Sequence, residues 1–171
     1  MSKINSNQPV TSAPLGDEGL IHVGIAGGAG YTGGELIRLL LNHPHTKISF
    51  VHSKSNAEKY LYEVHNDLIG ETDLKFTGES DFKNLFSNSS EASTDKAVLF
   101  LCLAHGESKI FLQENEIPAH VKIIDQSNDF RLAESSKLKA HSFIYGLPEL
   151  NREQIKQAQN IANPGCFATA T

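Results

Sequence analysis

Clustered basic residues are missing from this 171-residue chain, which carries a formal charge of -5 with 39% hydrophobic and 20% charged residues. Gripping a phosphate backbone needs grouped Lys and Arg, so nucleic acid is not expected as a partner. Long apolar runs are missing as well. A run such as Ala97 to Ala104 is strand-sized, far short of the roughly 20 residues that cross a bilayer, and no membrane segment is expected. Cysteine is scarce. Only Cys102 and Cys166 occur, and Met1 to Gly19 carries Lys3 but none of the apolar run of an export signal. A disulfide is therefore disfavoured, and reduced thiols in the cytoplasm are the expected setting. No internal repeat is seen and no metal site is expected. The length suits one domain of ordinary size.

Residues 1–19 are rich in Ser, Asn, Pro and Gly and read as a flexible tail, so the folded domain is expected over 20–171. From Ile21 onward short apolar runs alternate with longer mixed segments. Ile21–Ala26, Lys47–His52, Ala97–Leu103 and Val121–Asp125 read as strands, and Glu35–Asn42 and Glu107–Asn115 as helices. A short strand around Leu74–Phe76 and a helix near Phe82–Phe86 are weaker readings. Phe130–Asn151 reads as a long functional loop. Strands alternating with helices predict a Rossmann-type α/β fold, a doubly wound, mostly parallel sheet with helices on both faces.

The strongest local signal is Gly27-Gly28-Ala29-Gly30-Tyr31-Thr32-Gly33-Gly34, directly after the first strand and before the first helix. It contains Gly28-x-Gly30-x-x-Gly33 and equally Gly27-x-x-Gly30-x-x-Gly33. Glycines permit a tight turn and a close approach of pyrophosphate to the backbone, and the helix N-terminus offers N–H groups to the anion. A dinucleotide is the expected ligand; a merely tight structural turn is the alternative. An NAD site usually places an acid after the second strand to hold the ribose hydroxyls. That acid is lacking, and the stretch reads His52-Ser53-Lys54-Ser55-Asn56. Hydroxyls and a cation favour a 2′-phosphate, hence NADP(H), although the same residues also read as an ordinary polar loop.

Cys102 is flanked by large apolar residues in Val98–Leu103 and reads as a core thiol with a raised pKa. Cys166 stands in Asn163-Pro164-Gly165-Cys166-Phe167-Ala168-Thr169-Ala170, a forced turn followed by a helix start. The helix dipole there favours a thiolate, so Cys166 reads as a nucleophile, with a structural cysteine as the alternative. Beside a dinucleotide turn, it suggests hydride delivery to a cysteine-bound acyl group.

Several blocks then fall in one order: the Gly-Tyr-Thr-Gly turn with Glu35-Leu36, Ser53–Asn56, Leu103–Gly106, Ile124–Arg131, Tyr145–Arg152 and Ala162–Phe167. In these blocks the chain resembles the N-acetyl-γ-glutamyl-phosphate reductases, in the superfamily that includes aspartate-semialdehyde dehydrogenase. Tyr145-Gly146-Leu147-Pro148-Glu149-Leu150-Asn151 is the most specific block. The resemblance covers Ile21 to Thr171 and implies NADPH-dependent reduction of an acyl phosphate to a semialdehyde through a Cys166 thioester. It further implies pyrophosphate binding by Gly27, Gly28, Gly30, Tyr31, Thr32 and Gly33, with the adenosine end at Ser53 and Lys54. His105 and Ser127 would line the cofactor crevice, and Asn128, Arg131 and Asn163 would face cofactor or substrate. Read without the resemblance, His105 is an ordinary loop histidine and Arg131 a solvated one.

Family members of this kind run to about two domains. The resemblance places their general acid/base histidine, substrate-carboxylate contacts and homo-oligomer interface in a second part with no counterpart before Thr171. The chain is therefore expected to be a truncated form that binds cofactor without turning over alone. Two other readings stay open. One is a sister reductase for an N-succinylglutamyl, aspartyl or N-acyl-aminoadipyl phosphate, with Tyr145–Asn151 arguing against the aspartyl case. The other is a dinucleotide-binding module without catalysis.

Overall fold

A computed structural model describes residues 19–78, 82, 86, 96–132, 137–138 and 141–170. In chain order it contains β1 (Ile21–Ala26), α1 (Tyr31–Leu41), β2 (Thr46–His52), β3 (Phe76–Thr77), β4 (Ala97–Leu101), α2 (Glu107–Glu114), β5 (Lys122–Asp125), β6 (Lys137–Leu138), β7 (His141–Tyr145), α3 (Pro148–Gln157), β8 (Asn160–Ala162) and α4 (Cys166–Ala170). The expected tail lies outside the described residues apart from Gly19, and so does the expected helix near Phe82–Phe86 apart from those two buried phenylalanines.

Strand alternation decides how the sheet is covered, because successive side chains point to opposite faces. Val23 and Ile25 of β1 join Val51, Phe76 and Ile37 of α1 in one core cluster, with Leu61 and Leu68 from the segment between β2 and β3. Ala26 joins Phe50, Leu99, Leu101 and Ile123 with Phe111 and Leu112 of α2 in a second cluster. The two helices thus cover opposite faces, as the doubly wound reading requires.

The strand order is β3-β2-β1-β4-β5-β8-β7-β6. All neighbours pair in parallel except β6 with β7. The chain begins in the middle, moves out through β2 and β3, and returns to pair β4 with the other side of β1. The order therefore reverses between β1 and β4, and the crevice beyond their C-terminal ends is where ligands of such sheets gather.

Three expectations change. Phe130–Asn151 is not a loop: it holds β6, β7 and the start of α3. Its strand is settled by distant partners, since β7 pairs with β8 through Ile144 and Ile161 and Phe143 stacks on Phe130 at 4.0 Å. Helix α1 starts at Tyr31 rather than Glu35, so two glycines sit inside its first turn. Glycine disfavours helix by about 1 kcal/mol, but Gly33 and Gly34 are buried and allow close packing that overrides propensity. Strand β4 ends at Leu101, although the Cys102 N–H still donates to the Ala26 carbonyl at 2.8 Å.

Candidate functional site

The glycine turn is held by backbone alone on two sides. The N–H groups of Gly27 and Gly28 both donate to the His52 carbonyl at 3.1 Å. Gly27 has φ +79°, and a Cβ there would stand 2.6 Å from the Cys102 carbonyl oxygen. A Cβ on Gly33 would stand 2.7 Å from Gly28 Cα, so α1 rests directly on the turn. Gly30 differs: its Cβ would meet only the Gly27 oxygen at 3.7 Å, an ordinary contact. Packing among the described residues does not require glycine at that position, so the backbone there is open to close approach. No side chain caps the N-terminus of α1 and no acid stands in its first turn. Tyr31 and Thr32 are exposed there, so the positive end of the helix faces outward.

Two cavities flank this turn. The first, about 970 Å³, lies between the turn, the end of β2 and α2, with Gly27, Ser53, Lys54, Ser55, Leu103 and Ile110 in its wall. Ser53 is buried, its N–H donating to Thr77 and its hydroxyl accepting from Asn56 Nδ2 at 3.4 Å. Lys54 is exposed at the start of a short 3-10 turn. Ile110 of α2 is 52% exposed and forms with Leu103 an apolar wall suited to a planar base. The second cavity, about 500 Å³, brings together Thr32, Gln126, Arg131, Asn163, Cys166 and Thr169. Four of the predicted site residues meet here, from the two ends of the domain.

Cys166 opens α4 and is exposed. The preceding turn is tied down from several directions. The Asn163 N–H donates to the Asp125 carbonyl at 2.8 Å, and Asn163 Nδ2 donates to Gln126 Oε1 at 2.9 Å. Arg131 Nε donates to the Asn163 carbonyl at 2.8 Å and Nη2 to the Gln126 carbonyl at 3.0 Å. Arg131 is therefore a strut between two loops and not a solvated side chain. Thr169 Oγ donates back to the Gly165 carbonyl at 3.0 Å.

His105 lies in the segment after β4, and Ser127 and Asn128 lie in the segment after β5. Ser127 is buried, its hydroxyl donating to Asp125 Oδ2 at 2.7 Å and accepting from the Asp129 N–H at 3.1 Å. The hydroxyl thus ties Asp125 to the Asp129 backbone and supports the loop after β5. Asp125 also accepts from Ser108 Oγ at 2.6 Å. Asp129 accepts from the N–H groups of Gly106 at 2.6 Å and Lys109 at 3.1 Å, capping α2 from a distant loop. The Asn128 N–H donates to His105 Nδ1 at 3.1 Å, so a neutral His105 carries its proton on Nε2. Neither His105 nor Asn128 lines either cavity.

Sequence reasoning missed Gln126, Thr169 and His65. Thr169 was legible, since a hydroxyl four residues after a carbonyl commonly bonds back to it. His65 gave no local signal, yet its Nε2 lies 2.8 Å from the Gly28 carbonyl oxygen, 37 positions away.

Two outcomes follow from these environments. Burial, with the nearby Asp125 charge, pushes the Cys102 thiol up to about 12, while Cys166 is exposed. Iodoacetamide at pH 8 should label Cys166 first, as read by peptide mapping; earlier labelling of Cys102 would show that the strand end opens. Burial likewise raises the Asp125 carboxyl above the usual carboxylate range, with bonds from Ser108 and Ser127 opposing the rise. The folded state then holds a proton that the unfolded state, with a pKa of about 3.9, releases. The stability this adds is fully present below the unfolded pKa and is lost as pH rises through the folded one. Asp125→Asn does not titrate, so urea unfolding from pH 4 to 8 should show wild type losing ground to the variant as pH rises. The opposite trend would mean that the serine hydroxyls outweigh burial.

Comparison with known proteins adds to this geometry. Residues 22–158 match the family of semialdehyde dehydrogenase, NAD binding domain, a match that ends before Cys166. The chain is 52% identical over 151 residues to an N-acetyl-gamma-glutamyl-phosphate reductase of Christiangramia forsetii and 48% identical over 151 residues to that of Flavobacterium johnsoniae. It is 50% identical over 150 residues to that of Bacteroides fragilis. Each alignment covers 88% of this chain but only 42–43% of the relative, so the chain spans less than half the length of the curated relatives it matches. Among the described residues no helix is long and apolar enough to cross a membrane. With its order reversal at β1 and β4 and its glycine turn in that crevice, the chain belongs to the semialdehyde dehydrogenase NAD-binding domain family.

Proposed function

We propose that this chain supplies the dinucleotide cradle and the nucleophile of an NADPH-dependent N-acetyl-γ-glutamyl-phosphate reductase, a cytoplasmic biosynthetic enzyme that works as a homo-oligomer. One observation carries the reading: exposed Cys166 shares a cavity with Thr32, at the open N-terminus of the helix that follows the glycine turn. The relatives with that printed name supply the substrate class.

The residues fit a dinucleotide, because Gly30 is glycine without a packing reason and the turn lies beside a cleft sized for a nucleoside. Gly27, Gly28, Gly30, Tyr31, Thr32 and Gly33 would hold the pyrophosphate, and Ser53 and Lys54 the adenosine end with its 2′-phosphate. Bound there, the nicotinamide supplies a hydride to the acyl carbon. The Cys166 thiolate attacks the acyl carbon of the mixed anhydride, the bond to phosphate oxygen breaks, and inorganic phosphate leaves. After reduction the thiohemiacetal on Cys166 collapses, releasing the semialdehyde and restoring the thiolate. Arg131, fixed by the Asn163 and Gln126 carbonyls, keeps a positive charge at the same cavity for an anionic group of the substrate. His105 and Ser127 would face the cofactor and Asn128 the substrate from the segments after β4 and β5, which the bond from the Asn128 N–H to His105 joins.

Among the described residues lining the thiol cavity there is no His, Asp or Glu. The proton shuttle must then come from elsewhere, which also favours the narrower reading of residues 1–171 as a binding module when alone. Losing a positioned acid/base costs about 10²–10⁴-fold. The chain assayed alone for NADPH oxidation should therefore run at least a hundredfold below a full-length relative, and activity within tenfold would overturn this division of labour. Calorimetry should show NADP(H) bound more tightly than NAD(H). Lys54→Glu should erase that preference, about a tenfold or greater effect for a lost charge-assisted contact; an unchanged ratio would remove Lys54 from the phosphate site.

A further inference from the structure

The glycine turn is hydrogen-bonded to the His52 carbonyl at the end of β2 and abuts the Cys102 carbonyl just after β4, and the Gly28 carbonyl meets the side chain of His65. His65 stands between two short 3-10 turns, Leu61–Glu63 and Asn66–Leu68, and is half-buried. Leu61 and Leu68 on either side are fully buried, and the His65 N–H donates to the Leu61 carbonyl at 2.9 Å. The ring is thus delivered on a rigid arm. Its Nε2 lies 2.8 Å from the Gly28 carbonyl oxygen. A carbonyl can only accept, so Nε2 carries the proton and donates. A Cβ on Gly34 would lie 2.6 Å from His65 Nδ1, so a glycine at that position is what admits the ring.

The consequence follows from peptide geometry. No peptide bond here is cis, and in a trans peptide the carbonyl and the following N–H point in opposite directions. Fixing the Gly28 carbonyl toward His65 fixes the Ala29 N–H away from the arm. That N–H has no hydrogen-bond partner among the described residues, and it stands in the turn between Gly28 and Gly30.

We infer that His65 is a positioning residue that, by holding the Gly28 carbonyl, aims the Ala29 N–H at the pyrophosphate of the bound dinucleotide. This rests on the dinucleotide reading above. The residue touches no ligand itself; it acts through the peptide that does. A second effect has the same sign, since a hydrogen bond to the carbonyl polarises its peptide and makes the attached N–H a better donor.

The test uses the 171-residue chain with NADPH and, as a probe lacking a pyrophosphate, adenosine 2′-monophosphate. In wild type, the Ala29 amide proton should shift on addition of NADPH and stay in place with adenosine 2′-monophosphate. His65→Phe keeps a ring and removes the donor. It should weaken NADPH about three- to tenfold, the size of one net hydrogen bond, and leave the probe's affinity unchanged. His65→Gln, which retains a donor of similar reach, should recover most of the loss. A purely structural role would weaken both ligands in proportion. That result, or equal NADPH affinity in His65→Phe, or an Ala29 amide indifferent to saturating NADPH, would overturn the inference. Should His65→Phe fail to fold, the wild-type amide shift decides alone. A wild-type chain that binds no NADPH would overturn the dinucleotide reading itself, and this inference with it.

Discussion

The His52 carbonyl accepts two consecutive backbone N–H groups, from Gly27 and Gly28, and both cavities depend on that clasp. It pins the chain leaving β1 to the end of β2, which forces the turn to reverse within a few residues and to launch α1 from its far side. The cost is paid in side chains: Gly27 and Gly33 have backbone atoms under 3 Å from where a Cβ would stand. What the arrangement gains is an uncapped helix N-terminus at the point where strand order reverses, with one glycine, Gly30, that no described residue crowds. An anion is the complement of that surface.

Buried acids brace the opposite wall of the crevice. Asp125 is completely buried at the end of β5, and its carboxylate is supported by two serine hydroxyls rather than by a cation. Burial outweighs the hydroxyl and backbone bonds from Ser108 and Ser127 and leaves the carboxylate easier to protonate, so the network trades charge for geometry. Through Ser127 it fixes Asp129, whose carboxylate caps α2. The loops after β4 and β5 are therefore joined by hydrogen bonds, and the Asn128 N–H ties in His105 as well.

What could be read from sequence was whatever rests on local chemistry. The glycine turn was legible because a glycine run between a strand and a helix is a local pattern, although the partners that crowd Gly27, Gly28 and Gly34 are Cys102, Val51 and His65, and the helix start at Cys166 was legible from the forced turn before it. Cys102 was legible from its apolar neighbours, and its raised pKa follows from them. What could not be read rests on partners far along the chain. The strand β7 lies in a mixed polar stretch and is made a strand by β8 and by the stacking of Phe143 on Phe130. Ser127 follows a strand end like any crevice residue, and only the burial of Asp125 beside it turns the hydroxyl inward. Arg131 read alone as solvated because one of the two carbonyls it bridges, that of Asn163, lies 32 positions away along the chain.

The meeting of the glycine turn and the thiol is then a property of parallel strands rather than of either motif. In a parallel sheet every strand ends at the same edge, so the segments after β1, β2, β4, β5 and β8 are neighbours whatever their spacing in the chain. Placing β8 beside β5 lets Asn163 continue the pairing onto the Asp125 carbonyl, and the turn to Cys166 starts from that fixed point. Gln126 and Arg131, leaving β5 at the same level, grip the turn from below. Thr32 reaches the cavity from the other direction because α1 begins early, inside the glycine run. Had the helix started at Glu35, as propensity alone suggests, its N-terminus would lie a turn farther along the chain. The glycines that weaken the helix are thus what bring its positive end to the cysteine.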